Sequence, residues 1–392
     1  MNRPKIAFVV QRYGLEINGG AELHCRQLAE LLTEYYDVTV LTTCAKNYNT
    51  WENEYPSGME ELNGVIVHRF PCICTRDGFP YPWDPNGMQS AYGYANDINW
   101  MMQQGPLSFE LIHFLEYHRE EYDVFLFFTY LYFTTYAGLQ TVPEKSILIP
   151  TAHDEPAIYR NIFRSVFHLP KGIFYNTNEE RRFVTELFHH SPLFEDIGGV
   201  GVRLPDDVSA NRFREKYHIS DPFLLYVGRM TEKKGCHILF DYFVKMKERV
   251  HPDLKLVLMG TGELLPPKRD DIISLGFVSD QDKFDGIAAS NIMVIPSLYE
   301  SLSMVLLEAM SLEVPVLVNG DCLVLKEHCR KSNGGVYFHS FEEFVQGTNY
   351  LFQHGKQLGE NGKRYVNEQY CWNVILEKLC HMIEQVRELN HE

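Results

Sequence analysis

Several features that would assign a protein to a familiar class are absent from this chain of 392 residues. Its nine cysteines include no C-x-x-C pair, and the Cys72-Ile73-Cys74 spacing is too close for zinc, so we interpret them as free, mostly buried thiols. No apolar run approaches the roughly 18–20 residues that cross a bilayer. Residues 1–5 lead directly into an apolar strand pattern instead of a signal peptide, which predicts a cytoplasmic protein.

Basic residues are also scarce. The 36 lysines and arginines against 52 acidic residues give a formal net charge of −16. This balance argues against a general nucleic-acid-binding protein and against electrostatic adhesion to anionic lipid. It leaves open a local basic cleft and a weak peripheral contact with the inner face of a membrane.

Two common phosphate-binding motifs are missing as well. The sequence has no G-x-x-x-x-G-K-[ST] segment, and the GTGE turn at 260–263 lacks the third glycine of a dinucleotide fingerprint. Asp280 and Asp282 have the D-x-D spacing that some transferases use for manganese. A helix N-cap at Ser279 or Asp280 explains these residues more simply, so we predict no metal site and no cofactor.

Apolar strand patterns alternate with helical patterns along the whole chain, which predicts an α/β protein with parallel sheets covered on both faces. The length favours two doubly wound domains. We predict a first domain over 1–200 and a second over 201–371, with the boundary inside the Gly- and Pro-rich segment 198–222. A helix over 372–389 has one apolar face, which predicts that it packs against another part of the protein. The predicted strands are 5–10, 38–41, 65–70, 123–128, 146–149, 172–176, 194–197, 223–227, 255–259, 272–275, 292–295, 314–318 and 335–338.

A group of charged residues in the second half carries the chemistry. Arg229 and Lys234 follow the apolar strand 223–227, and Glu300 and Glu308 flank the start of an apolar helix that Ser301 or Ser303 could cap. Two cations and a helix start suit a diphosphate, whereas carboxylates accept hydrogen bonds from sugar hydroxyls. The combination predicts a nucleotide-sugar site. Two alternatives are an Arg and a Lys on a solvated surface loop, and Glu308 as a core carboxylate paired with a structural arginine.

The motif Gly-Arg-x4-Lys-Gly followed by Glu-x7-Glu resembles the retaining glycosyltransferases of family 4, which have the GT-B fold. The resemblance implies that Arg229 and Lys234 hold the donor diphosphate, Glu300 contacts the donor sugar and Glu308 binds the ribose. The chain departs from the family at 301–303, where Ser-Leu-Ser replaces Gly-Phe-Gly. The resemblance also implies that the helix 372–389 docks on the first domain. Ligands of such sheets bind at the carboxyl ends of the strands, so the crevice between the two domains is the expected site.

Other candidates come from turns that follow strands. Gly19 and Gly20 open a helix after the first strand, and His153 follows the strand 146–149, with Asp154 able to orient it. The resemblance assigns the glycines to the donor diphosphate and His153 to the donor sugar. We thus predict His153, Arg229, Lys234 and Glu300 as catalytic residues. The predicted donor-binding residues are Gly19, Gly20, Ser301, Leu302, Ser303, Met304, Val305, Glu308, Gly262 and Phe277. The resemblance implies that the turns carrying Gly262 and Phe277 frame the nucleobase.

The predicted activity is retaining transfer of a hexosyl unit from a nucleoside-diphosphate sugar to an acceptor hydroxyl, in glycan or polysaccharide biosynthesis. The expected partners are this donor and a glycan or lipid-linked glycan acceptor. An aromatic loop at 79–85 and the nearby residues 92–94 are our acceptor-side prediction, with packing on their own domain as the alternative. Two other functions stay open: a nucleotide-sugar 2-epimerase of the same fold, and an inactive carbohydrate-binding member.

Overall fold

A computed structural model describes residues 3–17, 19–78, 93–249 and 251–390. The chain divides into two compact units. Unit 1 combines the chain up to Gly199 with the C-terminal segment from Ile375, and unit 2 comprises Val200–Val374.

Unit 1 is built on a sheet that has eight strands within the described residues, in the order β3-β4-β2-β1-β5-β6-β7-β8. The strands are β1 (Lys5–Val9), β2 (Asp37–Thr43), β3 (Gly58–Leu62), β4 (Val65–Phe70), β5 (Val124–Phe128), β6 (Ser146–Ile149), β7 (Gly172–Tyr175) and β8 (Phe194–Ile197). All pairings are parallel except that of β3 with β4. The predicted parallel sheet is therefore confirmed, but β3 was missed because its sequence GMEEL is an exposed edge strand with no apolar run.

The helices of unit 1 cover its sheet. Among the described residues up to Gly199 they are α1 (Gly20–Leu32), α2 (Tyr94–Gln104), α3 (Phe109–His118), α4 (Phe133–Thr141), α5 (Phe163–His168) and α6 (Asn178–Phe188). The aromatic stretch 125–136 is a buried strand that leads into a helix, since β5 is buried at all five positions and α4 begins at Phe133. Within the described part of the chain, no helix combines the length and apolar character needed to cross a membrane.

Among its described residues, unit 2 has a six-stranded, fully parallel sheet in the order β11-β10-β9-β12-β13-β14. Its strands are β9 (Phe223–Val227), β10 (Lys255–Met259), β11 (Ile272–Ser274), β12 (Ile292–Ile295), β13 (Val316–Asn319) and β14 (Gly335–Phe338). The chain moves outward from β9 in one direction and then returns to the other side of β9 with β12. The β9/β12 boundary is thus a topological switch point, where ligands of open α/β sheets bind beyond the carboxyl ends of the strands.

The remaining helices are α7 (Ala210–Tyr217), α8 (Cys236–Arg249), α9 (Asp280–Ala289), α10 (Met304–Ser311), α11 (Leu323–Ser332), α12 (Phe341–Gln369) and α13 (Trp372–Leu389). The predicted final helix has the bounds of α13, and its apolar positions from Ile375 to Val386 are buried. Helix α12, with 29 residues, was not predicted. Its start is capped by Ser340, whose hydroxyl accepts a hydrogen bond from the Glu343 amide.

Candidate active site

The loops that follow β9 and β12 lie directly against each other in unit 2. Gly235 has a left-handed backbone (φ +68), and a Cβ at this position would lie 1.9 Å from the carbonyl oxygen of Pro296. The amide of Leu298 also donates a hydrogen bond to the carbonyl of Lys233 (3.1 Å). The basic loop 228–235 and the acidic loop 296–303 are therefore in contact because no side chain separates them at residue 235.

Two further turns join this edge of the sheet through backbone contacts. A Cβ on Gly262 would meet the carbonyl oxygen of Met230 at 2.2 Å, so the turn after β10 needs a glycine there. The amide of Gly260 donates to the carbonyl of Gly276 (2.7 Å), which brings in the turn after β11. Phe277 follows in that turn with 72% of its surface exposed. The predicted base-side residues thus lie in loops that adjoin the charged ones.

Lys234 and Glu300 form an ion pair between the two central loops. The Lys234 Nζ lies 2.7 Å from Glu300 Oε1, and both side chains are partly buried, with 31% and 13% of their surfaces exposed. The backbone carbonyl of Arg229 accepts a hydrogen bond from the Tyr226 hydroxyl (2.6 Å). Burial raises the pKa of Tyr226, the charge of Glu300 adds to the rise and that of Arg229 opposes it. The charges of Arg229 and Glu300 thus both act on Tyr226, Glu300 is paired with Lys234, and the exposed Arg229 lies in the same loop as Lys234.

The start of α10 differs from the predicted serine cap. Ser303 is the residue before the helix, but its backbone is left-handed (φ 73, ψ 82) and its side chain makes no capping hydrogen bond. Its Oγ is buried and has no partner among the described residues. The expected cap by Ser303 is therefore wrong, and Ser301 lies two residues further from the helix. The carbonyl of Ser303 still accepts from the amides of Leu306 (3.1 Å) and Leu307 (3.4 Å).

The residues around the start of α10 that we predicted to contact the donor differ in how deeply they are buried. Leu302 has 4% of its surface exposed and packs in the hydrophobic core, so only its backbone is placed to meet a donor, and its donor contact stays a prediction. Met304 and Val305 are half-buried against the same core. The amides at the first turn of a helix have no intrahelical partner, so the backbone at 303–305 is what this segment offers to an anion.

No pattern in the sequence pointed to His328, which fixes the loop before α10. This buried histidine lies with Nε2 3.0 Å from the carbonyl oxygen of Leu302 and Nδ1 3.0 Å from the Tyr365 hydroxyl. Burial lowers the pKa of His328 to about 4, so the ring is neutral near pH 7. A carbonyl can only accept, so Nε2 carries the proton and Nδ1 accepts from Tyr365.

Glu308 pairs with a lysine, Lys283 of α9, and not with the structural arginine considered as an alternative. The Lys283 Nζ lies 2.8 Å from Glu308 Oε1, and 17% and 8% of the two side chains are exposed. Glu308 Oε2 is buried without a hydrogen-bond partner among the described residues. Burial raises the pKa of Glu308, and Lys283 opposes that rise. Lys283 was missed because it lies 25 residues before its partner in the chain.

The D-x-D spacing of Asp280 and Asp282 coincides with the capped start of helix α9. Ser279 is the N-cap of α9, and its Oγ accepts from the amide of Asp282 (3.1 Å). The carboxylate of Asp282 is bound by Lys216 at 2.7 Å, and Asp280 is almost fully exposed. Burial would raise the pKa of Asp282, but the hydrogen bonds from Lys216 and Ser279 outweigh it and lower the pKa.

In unit 1, His153 follows β6 in a turn with an unusual backbone. Thr151, two residues earlier, has a positive φ of 50, a conformation that non-glycine residues adopt at some energetic cost. The carboxylate that pairs with His153 is Glu155, with Nε2 3.5 Å from Oε1. Asp154, which we expected to orient the ring, accepts a hydrogen bond from the Tyr159 hydroxyl (2.6 Å).

A buried glutamate that the sequence did not single out holds this turn. Glu180 of α6 accepts hydrogen bonds from the amides of Ala152 and Asn176, which follow β6 and β7. Burial raises the pKa of Glu180 to about 8, although both amides and the charge of His153 oppose the rise. Glu180 therefore fixes the backbone next to His153.

The glycine pair at the start of α1 makes room for a carboxylate of the protein itself. A Cβ on Gly19 would lie 2.1 Å from Glu22 Oε2, whereas nothing lies within 4 Å of a Cβ on Gly20. Glu22 is paired with Arg12 at 2.6 Å, and both are largely buried. The negative charge near this helix start is thus supplied by Glu22. The aromatic residues 79–92 lie outside the described residues, and Tyr94 is 75% exposed.

Comparison with known proteins shows what this arrangement is similar to. Residues 221–354 match the family described as glycosyl transferases group 1. An uncharacterized glycosyltransferase of Methanocaldococcus jannaschii is 24% identical over 427 residues, covering 98% of this chain and 99% of the relative. The family match spans the loops that carry Arg229, Lys234, Glu300 and Glu308.

Solved structures share the architecture over nearly the whole chain. Sucrose-phosphate synthase from Thermosynechococcus elongatus has a TM-score of 0.72 at 15% identity and covers 98% of this chain and 99% of its own. Anabaena HepE, solved with UDP and glucose, has a TM-score of 0.69 at 14% identity and covers 97% and 99%. The two sheets and these neighbours define the GT-B fold. Residues 221–354 are a group 1 glycosyltransferase domain, and the protein is a glycosyltransferase enzyme.

Proposed function

We propose that the protein is a retaining glycosyltransferase of family 4 that moves a hexosyl unit from a nucleoside-diphosphate sugar to an acceptor hydroxyl, in glycan or polysaccharide biosynthesis. The observation that carries the proposal is the Lys234–Glu300 pair at the β9/β12 switch point, with Arg229 in the same loop as Lys234. A neighbour of the same fold, HepE, has been solved with UDP-glucose, which supports a nucleotide-sugar donor.

The chemistry follows from the charge that develops during transfer. Breaking the bond between the anomeric carbon and the phosphate oxygen leaves an additional negative charge on the diphosphate. Arg229, Lys234 and the backbone amides at the start of α10 would stabilise it, and one such fixed donor is commonly worth roughly 3 kcal/mol of barrier. Lys234 has three N–H donors and Glu300 occupies one, so the ammonium can hold the carboxylate and a phosphate oxygen together.

The two glutamates would hold the rings attached to the diphosphate. Glu300, fixed through Oε1 by Lys234, presents its other oxygen to hydroxyls of the donor sugar. Glu308 would accept from hydroxyls of the ribose. Retention is implied by the family resemblance, and in this scheme the departing phosphate takes the proton of the acceptor hydroxyl. The contact of His153 with the donor sugar, and the roles of Gly19 and Gly20, stay predictions.

The direct test is a panel of nucleoside diphosphates and their sugars. Calorimetry should show binding of at least one nucleoside diphosphate, and the matching sugar nucleotide should release that diphosphate in the presence of acceptor glycans. Failure of the folded protein to bind UDP, GDP and ADP alike would refute the proposal. Conversion of the sugar nucleotide to an epimer without any acceptor would replace it by the 2-epimerase.

A further inference from the structure

We propose that Lys283 is a positioning residue of the donor site, which binds one oxygen of Glu308 and keeps the other available as an acceptor for a ribose hydroxyl. This inference rests on the proposed function, in which Glu308 faces the nucleotide. Lys283 belongs to none of the sequence motifs that predicted the site. Its assignment comes from the packing of α9 against α10.

The ammonium group of Lys283 is held in place from several sides. It lies 2.8 Å from Glu308 Oε1 and 4.3 Å from the centre of the Phe284 ring. Asp280, one turn earlier on α9, lies 3.7 Å away and is 90% exposed. Because only 17% of its side chain is exposed, Lys283 has little room to move towards another partner. The geometry of Glu308 is therefore determined by a fixed cation.

The unpaired oxygen of Glu308 is what points to a ligand. A buried acceptor without a donor costs roughly 1–3 kcal/mol, so native proteins leave few of them unsatisfied. A neighbouring structural carboxylate shows the contrast. Asp285, also on α9 and 1% exposed, accepts from the Ser209 amide, from Gln281 and from two nitrogens of Arg212, so both of its oxygens are satisfied. Glu308 keeps one oxygen unused.

The charges around Glu308 explain why a lysine is needed. The charged groups that act on its carboxyl are Lys283, which lowers its pKa, and Asp280, which raises it. On the opposite side, α12 packs against α10 with small and apolar groups, such as Gly362 beside Met310. Burial alone favours the protonated carboxyl, which would donate a hydrogen bond where a hydroxyl also donates. Lys283 opposes this effect and so favours the ionised, acceptor-only form of Glu308.

The experiment measures UDP binding by calorimetry at pH 6.5, 7.5 and 8.5. Lys283→Met keeps the apolar stem and removes the charge, so Glu308 should protonate at the lower pH. We expect the dissociation constant of Lys283→Met to exceed that of the wild type by about tenfold at pH 6.5, the effect of one charged hydrogen bond, and to recover several-fold by pH 8.5. Lys283→Arg should restore most of the affinity.

A matched control comes from the same helix. Lys216 forms an ion pair with Asp282 of α9. Lys216→Met removes this charge and should leave UDP affinity within about twofold of the wild type at every pH. As a second readout, the preference for UDP over 2′-deoxy-UDP should fall towards one in Lys283→Met and persist in Lys216→Met.

Two results would overturn the assignment of Lys283. One is wild-type affinity for UDP in Lys283→Met, and the other is a loss of the same factor at all three pH values with the preference for UDP unchanged, which indicates a structural role only. These outcomes differ from a failure of the proposed function, in which the wild-type protein itself binds none of UDP, GDP and ADP.

Discussion

Two buried glutamates, one in each unit, show how the partner of a carboxylate decides its charge. Glu180 in unit 1 is held by the amides of Ala152 and Asn176, and its pKa is raised to about 8. Glu308 in unit 2 is held by the ammonium of Lys283, which opposes the rise that burial causes. Both follow buried strands on helices that cover a sheet. Backbone amides orient a carboxylate, whereas a hydrogen-bonded lysine also supplies a compensating charge in the low-dielectric interior.

The same difference separates the two candidate sites. The site in unit 2 presents lysines and an arginine beside carboxylates, which is the arrangement needed to bind a diphosphate and its sugars. The turn at His153 in unit 1 is built from a strained backbone and a carboxylate that fixes it. We therefore expect charge to be bound and stabilised mainly by unit 2, and the predictions below test this division.

The largest effect should come from removing the cation of the central pair. Lys234→Ala should lower the rate of sugar transfer by roughly 100–1,000-fold, because a fixed donor to the developing negative charge is lost. Steady-state kinetics with the donor found in the panel would measure it. Lys233→Ala removes the same charge from the next residue and should retain most activity. Equal losses in both variants would show that only the general positive potential matters.

A substitution in unit 1 should separate binding from turnover. His153→Ala is expected to reduce the rate of transfer by about tenfold or more, as for a group that contributes through the transition state. The affinity for the free nucleoside diphosphate, measured by calorimetry, should stay unchanged because unit 2 supplies that binding. A large loss of diphosphate affinity in this variant would contradict the division between the units.

Glu180 gives the pH dependence of stability. Its folded-state pKa of about 8 lies above the ordinary value of 4.5, so the folded protein holds this proton more tightly than the unfolded chain and stability falls as pH rises from 4.5 through 8. At roughly 1.4 kcal/mol per pKa unit, the upper limit of this loss is roughly 5 kcal/mol.

Glu180→Gln should remove that dependence. Urea unfolding at pH 5, 7 and 9 is expected to show the wild type losing stability relative to this variant as the pH rises. Glu186→Gln, an exposed position on the same helix, should follow the wild type. Parallel curves for wild type and Glu180→Gln would mean that Glu180 is ionised in the folded protein across this range.

The smallest expected effect concerns metal ions. Transfer should change little on dialysis against EDTA, because the cations proposed for the diphosphate are side chains and Asp282 is already bound by Lys216. Strict dependence on added manganese in the activity assay would revive Asp280 and Asp282 as ligands.

The features that could be predicted from sequence were those determined by local pattern. The apolar runs of β9 and β12 predict the two strands. The loops after these strands carry Lys234 and Glu300, which form an ion pair in the structure. The missed residues, His328, Lys283 and Glu180, each act through at least one partner 25 or more residues away, and no periodicity reveals such a pairing. Ser303 failed as a cap because its backbone conformation, which depends on the loop around it, turns the side chain away from the helix amides.

The close approach of residue 235 to Pro296 also determines how far apart the opposing charges of the site can be. Since a Cβ there would fall 1.9 Å from a carbonyl oxygen, even an alanine at this position would force the two loops apart. The lack of a side chain at residue 235 thus allows Lys234 to come within reach of Glu300.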